Sequence, residues 1–163
     1  EIKKKSISKL KLCWIGDANN NMMNSLVEAC IKFSVYLNIA CPKSYQPNKK
    51  LISLIKKQKG KIKIFNKKEI AIKNSDVVMT DKIISLNDKV NKKKKLKSFK
   101  NFKVDTKTMN LAKKDAIFLH CLPRGNEVTE EVFLGKQSKV WQQALNRVYV
   151  QKSILLYCFG KLR

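Results

Sequence analysis

Histidine occurs once in this 163-residue chain, and its five cysteines, at 13, 30, 41, 121 and 158, form no Cys-x-x-Cys unit and no paired spacing. That scarcity excludes the usual zinc frameworks, so no metal is expected. An odd cysteine count with no disulfide rhythm reads as a reduced, cytoplasmic chain. No apolar run approaches the roughly 20 residues that span a bilayer, and the first residues lack a signal-peptide pattern. No internal repeat is visible. Acidic residues are few as well: 12 against 36 lysines and arginines, a formal net charge of +24. Such a charge invites a nucleic-acid or membrane-surface reading. The lysines, however, run through nearly every segment in the company of Asn and Ile, residues that share A- and T-rich codons. Aromatics of the kind that stack bases are not interleaved among them. Genomic base bias is the simpler cause, and neither nucleic acid nor membrane is expected as a partner.

What the chain does have is 44% hydrophobic residues. At this length, that suits one domain burying roughly two-thirds of its extended-chain surface. Beginning with Glu1 rather than Met, it is expected to be a segment of a longer protein. Short strand-like runs alternate with longer helical ones. Residues 10–15 predict a strand, stopped by Gly16, Asp17 and an Asn-rich turn. Met23, Leu26, Cys30, Phe33 and Leu37 then recur at three- and four-residue steps, the stripe of an amphipathic helix. Residues 38–41 predict a second strand, ended by Pro42. A basic helix over 48–59 turns Leu51, Leu54 and Ile55 inward and ends at Gly60. A third strand is expected at 61–65, a short helix at 67–73 and a fourth strand at 76–80. Residues 86 to about 100, with Lys92 to Lys95 in a row, read as a mobile loop giving way to a helical start. A short helix at 106–113, a strand at 116–119 and a final helix of about 146–160 complete the order. The alternation predicts an α/β fold, an open three-layer sandwich around a mostly parallel sheet of Rossmann-like type.

In open sheets of this kind, ligands bind beyond the carboxyl ends of the strands. Three polar clusters fall there. Gly16 to Asn21 offers capping side chains and backbone N–H groups that favour a carboxylate. Asp81, with Ser85 four residues on, could receive an amine and another polar end of the same ligand. His120-Cys121-Leu122-Pro123-Arg124 closes the apolar run 116–119 with a ring nitrogen, a thiol tunable by nearby charge, and a proline that fixes the chain direction. Taken alone, each cluster also fits a plain structural role: a capping turn, a solvated acid, a packed thiol, a satisfied core histidine, or, for Arg147, a surface cation.

Together these segments resemble one family. Trp14-Ile15-Gly16-Asp17-Ala18-Asn19-Asn20 is similar to the Trp-Ile-Gly-Asp-Gly-Asn-Asn of ornithine carbamoyltransferases. Cys41-Pro42-Lys43-Ser44-Tyr45-Gln46-Pro47 resembles that family's Thr-Pro-Lys-Gly-Tyr-Glu-Pro. Ser75-Asp76-Val77-Val78-Met79-Thr80-Asp81 resembles its Ala-Asp-Val-Val-Tyr-Thr-Asp, and His120 to Arg124 matches its His-Cys-Leu-Pro-Arg. Asn146-Arg147 fits the Asn-Arg pair before its final helix. The related aspartate enzymes carry Pro where Cys121 stands, so the thiol favours ornithine as acceptor. Ala18, Ile83, Leu86, Asn87, Lys103 and Leu145 depart from the pattern, which bears on loop closure more than on fold.

The resemblance implies the ornithine-binding half of a two-domain, cytoplasmic, trimeric enzyme that uses no cofactor. Its reaction moves the carbamoyl group of carbamoyl phosphate to the δ-amine of L-ornithine, giving citrulline and phosphate. It implies that Asn20, Asp81, Ser85 and the Leu86 backbone hold ornithine. Cys121, Leu122 and Arg147 would meet carbamoyl phosphate and the reacting amine. Cys121, Asp81 and Arg147 would be catalytic: Asp81 orienting the amine and Cys121, Arg147 offsetting charge on the carbamoyl oxygen or phosphate, with the base either Asp81 or Cys121. The Lys-rich loop from 86 would be a lid over ornithine. The family's Ser-Thr-Arg-Thr and His-Pro-x-x-Gln segments, which belong to an upstream carbamoyl-phosphate domain, do not occur in this sequence. The segment alone is therefore expected to be inactive, and its final helix to pack toward that domain. Alternatives are a same-fold enzyme taking putrescine or an acylated ornithine, and a non-catalytic basic binding module.

Overall fold

The computed structural model describes residues 6–84 and 91–161. Five strands, β1 (Lys11–Ile15), β2 (Tyr36–Ala40), β3 (Ile62–Phe65), β4 (Val77–Thr80) and β5 (Ile117–His120), form one sheet in the order β3-β2-β1-β4-β5. Every neighbouring pair is parallel. The chain therefore runs outward from β1 to β3, then returns across β1 to build β4 and β5. The order reverses between β1 and β4, where an open α/β sheet leaves a crevice at its carboxyl edge.

Alternation along β1 assigns the faces. Trp14 points to one side, where α1 (Asn21–Lys32) and α2 (Lys49–Lys56) pack around Met23, Val27, Leu37 and Leu51. Cys13 and Ile15 point to the other, against Phe99, Phe102, Phe118 and Phe133. That second layer is built by α3 (Lys68–Ala71), α4 (Lys92–Phe99), α5 (Thr106–Met109), α6 (Glu130–Leu134) and the start of α7 (Val140–Cys158). The predicted three-layer α/β sandwich is the observed one. Two asparagines start helices in the expected way: Asn20 Oδ1 accepts from the Met23 N–H at 2.8 Å, and Asn48 Oδ1 from the Leu51 N–H at 3.0 Å. Each such cap contributes about 1 kcal/mol.

Four local expectations need correction. The stripe from Met23 does not continue to Leu37: Lys32 is the last residue of α1, Ser34 turns the chain at φ 56°, and Leu37 is buried in β2. Leu54 faces solvent at 40% exposure, while Leu51 and Ile55 hold the inner face of α2. Where a mobile loop giving way to a helical start is expected, the whole of Lys92–Phe99 is helix, capped by Asn91, whose Oδ1 accepts from the Lys94 N–H at 3.2 Å. The part of the expected lid at 86–90 lies outside the described residues. The last helix begins at Val140, not near 146, so Asn146 and Arg147 sit inside α7 instead of opening it. Lys139 offers no side-chain cap there, which is why the true start left no signal. The five-residue α6 was not anticipated.

Gly16 shows how the rim is built. Its φ is +153°, and a Cβ there would lie 3.3 Å from Thr80 Oγ1 at the end of β4. A bare backbone lets the ends of β1 and β4 close up at the point where the sheet order reverses.

Candidate active site

At the carboxyl edge, the end of β4 places Asp81 and the end of β5 places Cys121. The Cys121 thiol donates to Asp81 Oδ1 at 2.6 Å, across a sequence separation of 40 residues. The same oxygen accepts the Lys82 N–H at 2.8 Å. Among the described residues, no donor reaches Asp81 Oδ2. Both side chains are half-buried, open enough to meet a ligand. A half-buried carboxylate with one oxygen engaged and the other unbonded among the described residues is a cation receptor next to a thiol.

Beneath this pair lies a support that the sequence reading did not find. His120, 1% exposed, holds Glu127 Oε1 with its Nε2 at 2.9 Å, while its Nδ1 meets the Cys121 carbonyl oxygen. Glu127, itself 3% exposed, also accepts the Gly125 N–H through Oε1 and the Ile83 N–H through Oε2 at 3.5 Å. Because Ile83 follows Asp81 by two positions, Glu127 ties the Asp81 loop to the end of β5. The His120 backbone N–H donates to Gln143 Oε1 of α7 at 3.1 Å, fixing the helix to the same strand end. His120 is thus the satisfied core group its solitary reading suggests, though one that directly underlies the thiol. Glu127 stands in a non-periodic loop, and Gln143 in a helix whose start carried no cap, so neither had a local signature.

Electrostatics follows from this burial. Burial alone would lower the His120 pKa, but the Cys121 and Glu127 hydrogen bonds outweigh it and push the ring up to about 10. For Glu127, burial would raise the carboxyl, yet hydrogen bonds from His120 and the Gly125 backbone hold it below its ordinary value. A ring flanked by a carbonyl and a carboxylate, both acceptors, can satisfy both only as imidazolium.

Asn20 lies at the neighbouring β1 end. Its Oδ1 caps α1, and its Nδ2 donates to the Asp17 carbonyl at 3.2 Å, leaving one amide hydrogen for a ligand. Ser85 and Leu86 lie outside the described residues. Leu122 is exposed at 43%, in a cis peptide with Pro123. Arg124 turns to α6, pairing with Glu130 at 3.3 Å over the Phe133 ring. Arg147 is exposed on α7 one turn beyond Gln143, on the same helical face, and has no hydrogen bond or ion pair among the described residues. The structure thus brings Asp81 and Cys121 into contact, sets Asn20 on the adjacent strand end, and leaves Arg147 open to solvent. Among the described residues, no group of three or more His, Cys, Asp or Glu side chains is placed to hold a metal ion, and no helix is long and apolar enough to cross a membrane.

Residues 8–158 match the family model described as aspartate/ornithine carbamoyltransferase, Asp/Orn binding domain. Ornithine carbamoyltransferase of Methanococcus maripaludis (strain C5) is 45% identical over 163 residues, covering 95% of this chain and 53% of that protein. The structure of ornithine carbamoyltransferase from Pyrococcus furiosus superimposes with a TM-score of 0.86 at 33% identity, covering 99% of this chain and 53% of that one. The anabolic ornithine carbamoyltransferase from Campylobacter jejuni gives a TM-score of 0.82 at 37% identity, covering 93% and 52% respectively. The chain thus spans about half the length of the relatives it matches.

Proposed function

Because the chain belongs to the aspartate/ornithine carbamoyltransferase family, as its Asp/Orn binding domain, we propose that it is the ornithine-binding half of an ornithine carbamoyltransferase. The contact between Asp81 and Cys121 at the carboxyl ends of β4 and β5, next to the point of sheet reversal, is the observation that carries this reading. The δ-ammonium of ornithine docks on Asp81 Oδ2, beside the Cys121 thiol. Releasing its proton near pH 7.4 from a pKa near 10.4 costs about 4 kcal/mol, so an acceptor must stand next to the amine. The Asp81–Cys121 pair is that acceptor, with Asp81 chiefly orienting the amine and the thiol. The freed lone pair attacks the carbamoyl carbon, the bond from that carbon to the phosphate oxygen breaks, and phosphate leaves with the electrons. Asn20, with its spare amide hydrogen, takes the α-amino-acid head together with Ser85 and the Leu86 backbone.

Carbamoyl phosphate lies between Cys121, Leu122 and Arg147 on this side and an N-terminal domain of the same protein on the other. Arg147 offsets charge growing on the carbamoyl oxygen or phosphate. Its exposed position one turn past Gln143 suits a group completed by that domain. The exposed apolar residues of α7, among them Leu155 and Tyr157, suit a helix that docks there. A cytoplasmic homotrimer fits the family resemblance, and the five free thiols fit a reducing compartment.

The test is steady-state kinetics of the full-length protein with carbamoyl phosphate and ornithine, putrescine or an acylated ornithine as acceptor. Ornithine should be the preferred acceptor, with citrulline as product. Cys121→Ala and Asp81→Ala should each lower kcat/KM for ornithine by about 10²–10⁴-fold, the range for positioned acid–base groups. The 163-residue segment alone should form no citrulline. Preference for another acceptor, or full activity of Asp81→Ala, sinks the assignment.

A further inference from the structure

Lys95 is the one buried member of the Lys92 to Lys95 run, 5% exposed while its three neighbours face solvent. A lysine is almost never so enclosed unless it is paired. Its Nζ lies 2.7 Å from Asp17 Oδ2 and 5.6 Å from the centroid of the Tyr45 ring, a cation–π approach. Tyr45 in turn packs on Phe99 of α4 at 4.8 Å between ring centroids, and its carbonyl accepts the Ala18 N–H at 3.0 Å. Three segments distant in sequence meet here.

The other atoms of Asp17 face the turn that carries Asn20. Asp17 Oδ1 accepts the Asn19 N–H at 2.9 Å, and its carbonyl accepts from Asn20 Nδ2 and from Trp14 Nε1, both at 3.2 Å. Asp17 is thus a two-sided clamp, with one carboxylate oxygen shaping the turn and the other held by α4. Without the ammonium, a buried carboxylate loses the charge that offsets its desolvation and must swing outward or take up a proton. The first breaks the Asn19 N–H bond and the second leaves it only a weaker neutral acceptor, and either loosens the turn that carries Asn20. We infer that Lys95, acting through Asp17, is a positioning residue for Asn20 and so for the amino-acid head of the acceptor substrate. The inference rests on the carbamoyl-transfer reading of the site. It adds a residue that acts through Asp17 and governs acceptor affinity rather than the chemical step.

The experiment compares Lys95→Met, Lys95→Arg and Asp17→Asn in the full-length protein. Lys95→Met should raise the KM for ornithine about tenfold or more, equivalent to about 1.4 kcal/mol of lost binding, with kcat within about twofold. The KM for carbamoyl phosphate should stay within about twofold as well. Lys95→Arg retains the cation and should recover most of the affinity. Asp17→Asn keeps an acceptor for the Asn19 N–H and supplies a folded variant should Lys95→Met not fold; it should raise the ornithine KM by a smaller factor. Amide exchange at Asn19 should speed up in Lys95→Met and not in Lys95→Arg. Equal rises in both KM values, a loss confined to kcat, or an unchanged ornithine KM in both Lys95→Met and Asp17→Asn would overturn the inference. If the wild-type protein turned over no ornithine, the carbamoyl-transfer reading would fall by itself, and Asn19 exchange would decide whether Lys95 holds the turn.

Discussion

His120 is the only histidine of the chain, and the structure encloses it completely. Its raised pKa makes it a stability element with a definite pH window. The ring goes from about 6.5 when exposed to about 10 in place. A group raised on folding contributes in full below its unfolded pKa, so this contribution is complete below about pH 6.5 and fades as pH climbs through 10. Glu127 works in the opposite sense: its depressed carboxyl contributes above its ordinary range near 4.5 and is lost as pH falls. Three buried thiols also titrate late, Cys13 and Cys41 pushed up by burial to about 12 and Cys30 to about 11, from 9.0. Their contribution declines only above pH 9. Between pH 6.5 and 9 the decline therefore belongs to His120. The melting temperature should fall steadily across that interval, and Glu127→Gln should flatten the slope. Removing one partner of a buried pair costs about 3–5 kcal/mol, so the variant should also melt well below wild type at pH 7. Because there is one imidazole, its proton resonance reports the titration without assignment. A ring that titrates near 6.5 in the folded chain contradicts the imidazolium assignment.

Among the elements, α7 stands apart. Its first turns are anchored to β5: the Lys139 N–H donates to the Phe118 carbonyl at 2.9 Å, Gln143 holds the His120 N–H, and Trp141 meets Phe133 edge-on at 6.1 Å. Beyond these, Val148, Ile154, Leu155 and Tyr157 are each more than half exposed. Exposed apolar side chains in such number on one helix mark an interaction surface. The 163-residue chain should therefore self-associate in a concentration-dependent way. Replacing Ile154 and Leu155 by Glu should return it to a monomer in sedimentation velocity, with the melting temperature unchanged because neither side chain is buried. A monomeric wild-type segment is the contrary result. The elements also show what a sequence carries and what it does not. Strands were legible because each is an apolar run stopped by a polar cluster at the sheet edge, and the same logic located Asp81 and Cys121. Leu37 was assigned to the wrong element because helical spacing ran by chance across the Ser34 turn. The start of α4 was blurred by four lysines with no apolar period. Asp17 and Tyr45, far back in the chain, meet the one of them that is buried, and pairing at that distance leaves no local mark. Glu127 stayed unseen because its loop has no period and its bond to the Ile83 N–H spans 44 residues.

For the molecule as a whole, cations outnumber acids three to one, 36 against 12, so most lysines can have no acidic partner at all. Several acids are already committed to particular cations: Asp17 to Lys95, Asp76 to Lys113, Glu127 to His120 and Glu130 to Arg124. The residual field of +24 is repulsive throughout and opposes compactness. Its range is set by salt, about 30 Å at 0.01 M and about 8 Å at 0.15 M ionic strength. At the lower value nearly every charge on a domain this size feels every other; at the higher, only near neighbours do. Raising sodium chloride from 10 to 150 mM should therefore stabilise the fold, and a gain of about 1–2 kcal/mol would lift the melting temperature by about 2–8 °C. Simple screening depends on ionic strength alone, so sodium sulfate at matched ionic strength should give nearly the same curve. A rise confined to sulfate or phosphate would instead mean a discrete anion site, and Arg147→Ala would show whether that site is the exposed guanidinium on α7. A melting temperature that falls with chloride would mean that short-range pairs outweigh the long-range field, contrary to the charge count.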